Sequence, residues 1–373
     1  MNILIFSWRG PGHPHAGGAE QATQEYAKGW VKLGHNVTLF TSYYSGAKKQ
    51  EIIDGVKIKR SGSQIFGVHI AAFQWFIFDK HEKFDIVIDQ FHGIPFFTPI
   101  YVREKKLAFI HEVTKEVWDL NPWNWPFNLI PAIIGKIFEP YLFKIFYRNI
   151  PFMTGANSTK QDLIFWGIPK KNITIIPYGV NLPRIRSFQK EDKKTLIFLG
   201  ALSRDKGIED IIKIFSKLNN SNHDFQFWIV GKCEKHYLNK LKKQIDRLGI
   251  TNKIKFWGFV TEEQKFKLLG KAHLLIDPSV REGWGLVVIE AAAVETPTVG
   301  YNVAGLKDSI VDGKTGLLCN PDPDSCSEAV LSLIKNNGKY ELFRKNCSEW
   351  SKKFNWEKSS EKGLQLIEKL VSN

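Results

Sequence analysis

A buried strand, a glycine-bearing loop, a helix and another buried strand follow one another twice in this chain. The first set is an apolar run at 2–6, the loop SWRGPGHPHAGGAE, a helical pattern over 19–33 and a strand at 35–40. The second is a strand at 195–199, the loop GALSRDKG, a helix over 208–218 and a strand at 225–230. This order predicts a parallel sheet in each half, with ligands at the carboxyl ends of the strands. Strands at 56–60, 85–88, 107–110 and 173–176 and a helix at 157–166 extend the first half. Helices at 237–248 and 262–269, with a strand between them at 255–260, extend the second. The stretch IPYGVNLPRIRSFQKEDKK, with its prolines, glycine and charge run, reads as the connection. The expected division is a first domain over 1–183, a linker over 184–194 and a second domain over 195–354.

A chain of 373 residues with 43% hydrophobic and 24% charged residues suits two folded domains. The start, MNILIFSWRG, reads as a buried strand and not as a secretion signal. The four cysteines, Cys233, Cys319, Cys326 and Cys347, form no CxxC pair, so the expectation is a reduced, cytoplasmic, metal-free protein. The net charge of +14 divides at Arg186 into +8 and +6, with no basic tail. Such a surface can approach anionic lipid or nucleic acid. No recognition helix or RNA-stacking module supports the second, so nucleic acid is not an expected partner.

The stretch PSVREGWGLVVIEAAA (278–293) carries the chemistry. Glu282 lies in a turn with Gly283, Trp284 and Gly285, and Glu290 follows eight positions on in an apolar, helical run. A helix starting near Gly285 or Leu286 offers unpaired N–H groups and a positive dipole end, which suit a phosphate. Two carboxylates flanking that point are placed to accept hydroxyls, which describes a nucleotide sugar. A βα turn with two solvated glutamates has the same spacing. EGWGLVVIEA resembles the E-x7-E motif of retaining nucleotide-sugar glycosyltransferases of the GT-B fold, glycosyltransferase family four. The resemblance implies two Rossmann-like parallel-sheet domains facing across a cleft, with a C-terminal helix at about 355–371 packing back on the first. It implies Glu282 near the donor sugar, Glu290 on the ribose, and Gly283, Trp284, Gly285 and Leu286 at the donor.

The similarity extends along most of the chain. Gly17 and Gly18 resemble the family's GG loop; a dinucleotide fingerprint fails there because His15 stands at the third glycine's place. His13 and His15 are candidates for substrate contact, or simply decorate the loop. His111, at a strand's C-terminal end, coincides with the family's active-site histidine. In GALSRDKG, Lys206 matches the family's lysine and Ala201 replaces its arginine, leaving Arg204 as the second cation for a diphosphate. Gly231, Phe259 and Val260 fall where the family reads the donor, the last two where backbone meets the nucleobase. Tyr178, Asn181 and the Ala156–Asn157 pair depart from the family's pattern. Asp322 and Asp324 form a D-x-D in NPDPDS, which reads as a turn and helix cap.

The implied reaction is retaining transfer of a hexosyl unit from a nucleoside-diphosphate sugar to a glycan or lipid-linked acceptor in cell-surface glycan synthesis. No metal or cofactor is expected; the helix start, Lys206 and Arg204 stabilise the leaving diphosphate, Glu282 orients the sugar, and domain closure excludes water. An epimerase or phosphorylase of the same fold and a basic binding protein are the alternatives. The Trp-rich segment 117–152 is either an interdomain core helix or a basic-edged surface docking peripherally on the inner face of an anionic membrane. Its interrupting charges argue against a membrane span.

Overall fold

The computed structural model describes residues 1–91, 93–120, 129–181, 188–220 and 224–372. They form two compact units, the first from 1–179 with 355–373 and the second from 180–354.

In the first unit the strands are β1 (Asn2–Ser7), β2 (Asn36–Thr41), β3 (Gln50–Ile53), β4 (Val56–Arg60), β5 (Ile86–Phe91), β6 (Lys105–Ile110), β7 (Phe152–Thr154) and β8 (Ile173–Ile175). They form one sheet in the order β3-β4-β2-β1-β5-β6-β7-β8. Every pairing is parallel except β3 with β4. That hairpin turns on Asp54 and Gly55, both at positive φ (51° and 82°), the geometry an Asp-Gly pair favours. The helices are α1 (Gly18–Lys32), α2 (Phe66–Phe78), α3 (Thr98–Tyr101), α4 (Leu129–Leu142) and α5 (Asn157–Phe165); a π turn, Phe143–Tyr147, prolongs α4.

One side of this sheet is covered by α2, which packs Val68, Ala72, Trp75 and Phe76 against Leu4, Phe6 and Val87. The same side receives Phe143 and Tyr147 of the π turn beside Phe91 and Phe152. Asp89 is buried there, and burial raises its carboxyl against hydrogen bonds from Tyr147, Phe96 and Thr98. On the other side α1 sets Tyr26 edge-on to Phe109, their ring centres 5.4 Å apart.

The second unit holds β9 (Lys194–Leu199), β10 (Phe225–Val230), β11 (Ile254–Gly258), β12 (Leu274–Asp277), β13 (Thr298–Tyr301) and β14 (Gly316–Cys319). All are parallel, in the order β11-β10-β9-β12-β13-β14. Its helices are α6 (Ile208–Asn219), α7 (Lys235–Arg247), α8 (Glu262–Lys271), α9 (Leu286–Ala293), α10 (Leu306–Ser309), α11 (Pro323–Lys335) and α12 (Asn337–Ser351). The last helix, α13 (Trp356–Ser372), belongs to the first unit: Trp30 Nε1 of α1 donates to the Ser360 carbonyl at 3.0 Å. Asp322 caps α11 by accepting from Ser325 N at 2.8 Å, and Asp324 pairs with Lys217.

Part of the expected linker, 184–187, lies outside the described residues. The rest is structure of the second unit, where Lys190 Nζ donates to the Ala272 carbonyl and Thr296 Oγ1, both at 2.7 Å, and Glu191 pairs with Lys271. Residues 121–128 of the Trp-rich segment also lie outside the described residues. Within the segment's described part, α4 is not a core helix: Ile133, Ile137 and Tyr141 are each more than half exposed.

Candidate active site

Strand order determines where the second unit can hold a ligand. The chain leaves β9 toward β10 and β11 on one side, and β12, β13 and β14 lie on the other. The loops after β9 and β12 therefore diverge at the carboxyl ends of two neighbouring strands, the position at which open α/β sheets form a crevice. Those loops are GALSRDKG and PSVREGWG. Gly207 holds them in register, with φ +70° and so little room that a Cβ would lie 2.1 Å from the Pro278 carbonyl oxygen. Val280 N donates to the Asp205 carbonyl at 2.9 Å.

Lys206 and Glu282 meet there, Nζ to Oε1, at 2.6 Å. Ser279 Oγ lies 2.9 Å from the same oxygen and 2.6 Å from Asp277 Oδ1. One hydroxyl proton cannot serve both carboxylates. Burial first, and then the charge of Glu282, push Asp277 up to about 6. Just beyond, α9 begins at Gly285 in the left-handed region, with no side-chain cap and no acid in its first turn. Val288 N donates to the Gly285 carbonyl at 3.0 Å, and the amides of Leu286 and Val287 are left for an anion.

Asp277 yields a stability prediction. Its folded value lies above the ordinary 3.8, so the folded chain binds this proton more tightly than the unfolded one. The group's stabilising contribution is present below about pH 4 and is lost as pH rises through about 6, amounting to about 3 kcal/mol. Asp277→Asn is therefore expected to gain on the wild type between those values, in melting temperatures taken across the range. Parallel profiles for the two proteins would remove Asp277 from this account.

Glu290 lies one turn into α9 and is buried, its Oε1 2.7 Å from Lys265 Nζ of α8. Burial raises the Glu290 carboxyl against the pull of Lys265. Burial opposes the charged ammonium of Lys265, but Glu290 and Glu262 outweigh it and raise that group. Lys265 is thus a component of the site that sequence reasoning missed; 25 residues separate the partners, and no local pattern links them.

Other candidates find different surroundings. Arg204 turns to Glu209, 3.6 Å away, and is largely exposed, whereas its neighbour Lys206 is the one that reaches Glu282. The Trp284 side chain packs on Phe354 with ring centres 5.4 Å apart, so a donor can meet only its backbone. Gly231, at φ +147°, is required by packing: a Cβ would lie 1.7 Å from the Gly200 carbonyl oxygen. Phe259 is exposed after β11 under the Lys232 ammonium, 4.5 Å from the ring centre, with Val260 next to it.

In the first unit, Gly17 N donates to Glu20 Oε2 at 2.7 Å, so this amide is engaged and Gly18 opens the helix beside a carboxylate that also holds Arg9. His13 does not decorate the loop. It is buried beside Tyr44, accepts from His15 N at 3.1 Å, and is lowered to about 4 by burial and then Arg9.

His111 is buried at the end of β6, with Nδ1 2.5 Å from the Tyr178 hydroxyl and Nε2 3.4 Å from Thr23 Oγ1. Burial raises the Tyr178 phenol well above its ordinary value, so it stays protonated beside Nδ1. Thr23 Oγ1 donates to the Ala19 carbonyl at 2.9 Å. Tyr178, a departure from the family's motif, is therefore the group that orients His111.

Comparison with known proteins agrees with these two units. Residues 183–352 match the family model described as glycosyl transferases group 1, and residues 16–184 match glycosyltransferase family 4. An uncharacterized glycosyltransferase of Methanocaldococcus jannaschii is 26% identical over 92% of this chain and 94% of its own. Sucrose-phosphate synthase from Thermosynechococcus elongatus superposes over 100% of this chain and 99% of its own, with TM-score 0.81 and 18% identity. Anabaena HepE in complex with UDP and glucose covers both chains fully, with TM-score 0.74 and 18% identity. With a group 1 match over one sheet, a family 4 match over the other and two parallel α/β units of this topology, the chain belongs to the GT-B glycosyltransferases of family 4.

Proposed function

We propose that this glycosyltransferase moves a hexosyl unit from a nucleoside-diphosphate sugar to a glycan or lipid-linked acceptor with retention of the anomeric configuration. The observation that carries the reading is the Lys206–Glu282 pair beside the uncapped start of α9. A diphosphate at that helix start receives backbone N–H groups and the Lys206 ammonium, which has protons for both Glu282 and a phosphate oxygen. Glu282 then accepts from hydroxyls of the transferred sugar, and Glu290 with Lys265 behind it serves the ribose. His111, held by Tyr178, is the first unit's candidate for substrate contact, as the family resemblance implies.

The bond from the anomeric carbon to the diphosphate oxygen breaks as the acceptor oxygen bonds the same face. The acceptor's proton passes to the departing phosphate oxygen, whose charge Lys206 and the helix start stabilise by preorganised electrostatics. HepE, of the same fold, is described in complex with UDP and glucose, which supports a uridine donor as the first to try.

A thermal-shift series with UDP, GDP, ADP and dTDP tests the reading. At ~100 times its dissociation constant, the matching diphosphate adds about 2.7 kcal/mol to the stability of the unit that binds it. Lys206→Ala is expected to abolish most of the shift. If none of the four stabilises the wild type, or if Lys206→Ala responds as the wild type does, the donor site is wrong.

A further inference from the structure

Helix α4 is built the wrong way round for a helix in water. Its inner side holds Gly135, against which the Trp118 indole is packed so closely that a Cβ would lie 2.2 Å from the ring. One turn on, the buried Glu139 accepts from Thr114 N at 2.8 Å and from Trp118 Nε1 at 2.8 Å. That glycine and that carboxylate orient the helix, so its aliphatic side cannot turn inward. Ile130, Ile133, Ile134, Ile137, Phe138 and Tyr141 form the outward stripe at helical spacing, each between 50% and 58% exposed. Ile145 of the π turn continues it at 68%.

Helix α2 repeats the pattern on the same side of the sheet. It buries Val68, Ala72, Trp75 and Phe76, and shows Phe66, Ile70, Phe73 and Ile77 to solvent, again three and four residues apart. The two helices are joined across α3: Phe73 meets Tyr101 with ring centres 5.1 Å apart, and Phe97 meets Phe146 at 5.7 Å. The exposed rows therefore belong to one apolar surface, far beyond the scattered hydrophobic residues that ordinary surfaces carry.

Within α2, α3 and α4 the exposed charges are basic. No charged residue occurs in α2 or α3, and in α4 with its π turn the only acid is the buried Glu139. The exposed charges are Lys136 and Lys144, followed by Arg148. Lys136 pairs with Asp119 and Lys115 with Asp162, whereas Lys144 faces a cavity of about 480 Å³ at the edge of the stripe, lined also by Tyr141, Phe165 and Glu116. Two copies of the chain face to face would oppose these cations to one another. An anionic leaflet meets both features at once, taking the apolar rows among its acyl chains and its phosphates at Lys144 and Arg148.

We propose that the outer side of α2, α3 and α4 with its π turn docks this protein on an anionic lipid bilayer as a peripheral protein. Among the described residues, no helix is long and apolar enough to cross a membrane. The proposal deepens the transferase reading by placing the acceptor in or on the leaflet, but the docking itself needs no nucleotide.

Flotation of the full chain with phosphatidylcholine vesicles, with and without phosphatidylglycerol, tests it. The wild type is expected to float with the anionic vesicles and to lose most of that binding as salt is raised. Ile133→Ser with Ile137→Ser, and separately Ile70→Ser with Phe73→Ser, are each expected to lower the bound fraction about tenfold. Lys144→Glu is expected to weaken binding to anionic vesicles alone. Melting temperature and the nucleoside-diphosphate shift serve as controls and are expected to match the wild type in all three variants. Equal flotation of wild type and both apolar variants, or no flotation of the wild type, overturns the proposal. So does a wild-type dimer that Ile133→Ser with Ile137→Ser dissolves in the absence of vesicles, which would assign the surface to a second copy. Flotation without any nucleotide shift would leave the docking standing and remove the transferase reading.

Discussion

Glu282→Gln is expected to lower turnover by about 10²–10³-fold while leaving nucleoside-diphosphate affinity within a few-fold of the wild type. The carboxylate is anchored by Lys206 and lies beside Ser279, so the orientation it offers to a sugar hydroxyl exists before the donor arrives. Glutamine keeps the shape and one acceptor but loses the charge, and with it the attraction that holds Lys206. Bare UDP or GDP lacks the sugar and still meets the Lys206 ammonium, so its affinity stays within that range. Turnover should be followed with the sugar donor of whichever diphosphate gives the thermal shift. An unchanged rate, or a loss confined to diphosphate binding, would move Glu282 from the sugar to the phosphate or out of the site.

Glu290→Ala is expected to act on the fold as well as on the donor. It leaves the Lys265 ammonium buried, with only Glu262, itself mostly exposed, 2.9 Å away. Removing one partner of a buried pair costs about 3–5 kcal/mol, and the exposed Glu262 offsets little of that. Lost donor binding in this variant alone would therefore not identify a ribose contact. The double variant Lys265→Met with Glu290→Leu separates the two effects. It is expected to return most of the stability, since apolar groups of similar volume replace a buried pair at little cost, and still to bind diphosphate weakly. Wild-type diphosphate affinity in a stable double variant would end the ribose role and leave the pair as a structural tie between α8 and α9.

What could be read along the chain and what could not differ in kind. Val56–Arg60 was visible as the alternation VKIKR after a turn, and Phe225–Val230 as a short, largely apolar run. Helix α2 was not, because FGVHIAAFQWFIF is apolar on every side and so has no period that separates an inner from an outer face. The edge strand β3 also went unread, although Asp54–Gly55 carried the hairpin signal. Among the candidate residues, Glu282 and Lys206 of the second unit and His111 of the first were legible through their motifs. Asp277, Lys265 and the orienting Tyr178 were not, because each acquires its role from a partner brought to it by the fold.

The sequence by itself determined the alternation of strands and helices, the two sheets it generates and the candidate residues for chemistry, since these depend on local composition and spacing. Only the tertiary structure decided which of those residues meet. Divergence of the chain at β9 and β12 brings Lys206 to Glu282 across 76 positions, and Gly135 with Glu139 turns the apolar side of α4 outward. Both outcomes are set by packing between elements distant in the chain, where no local pattern reaches.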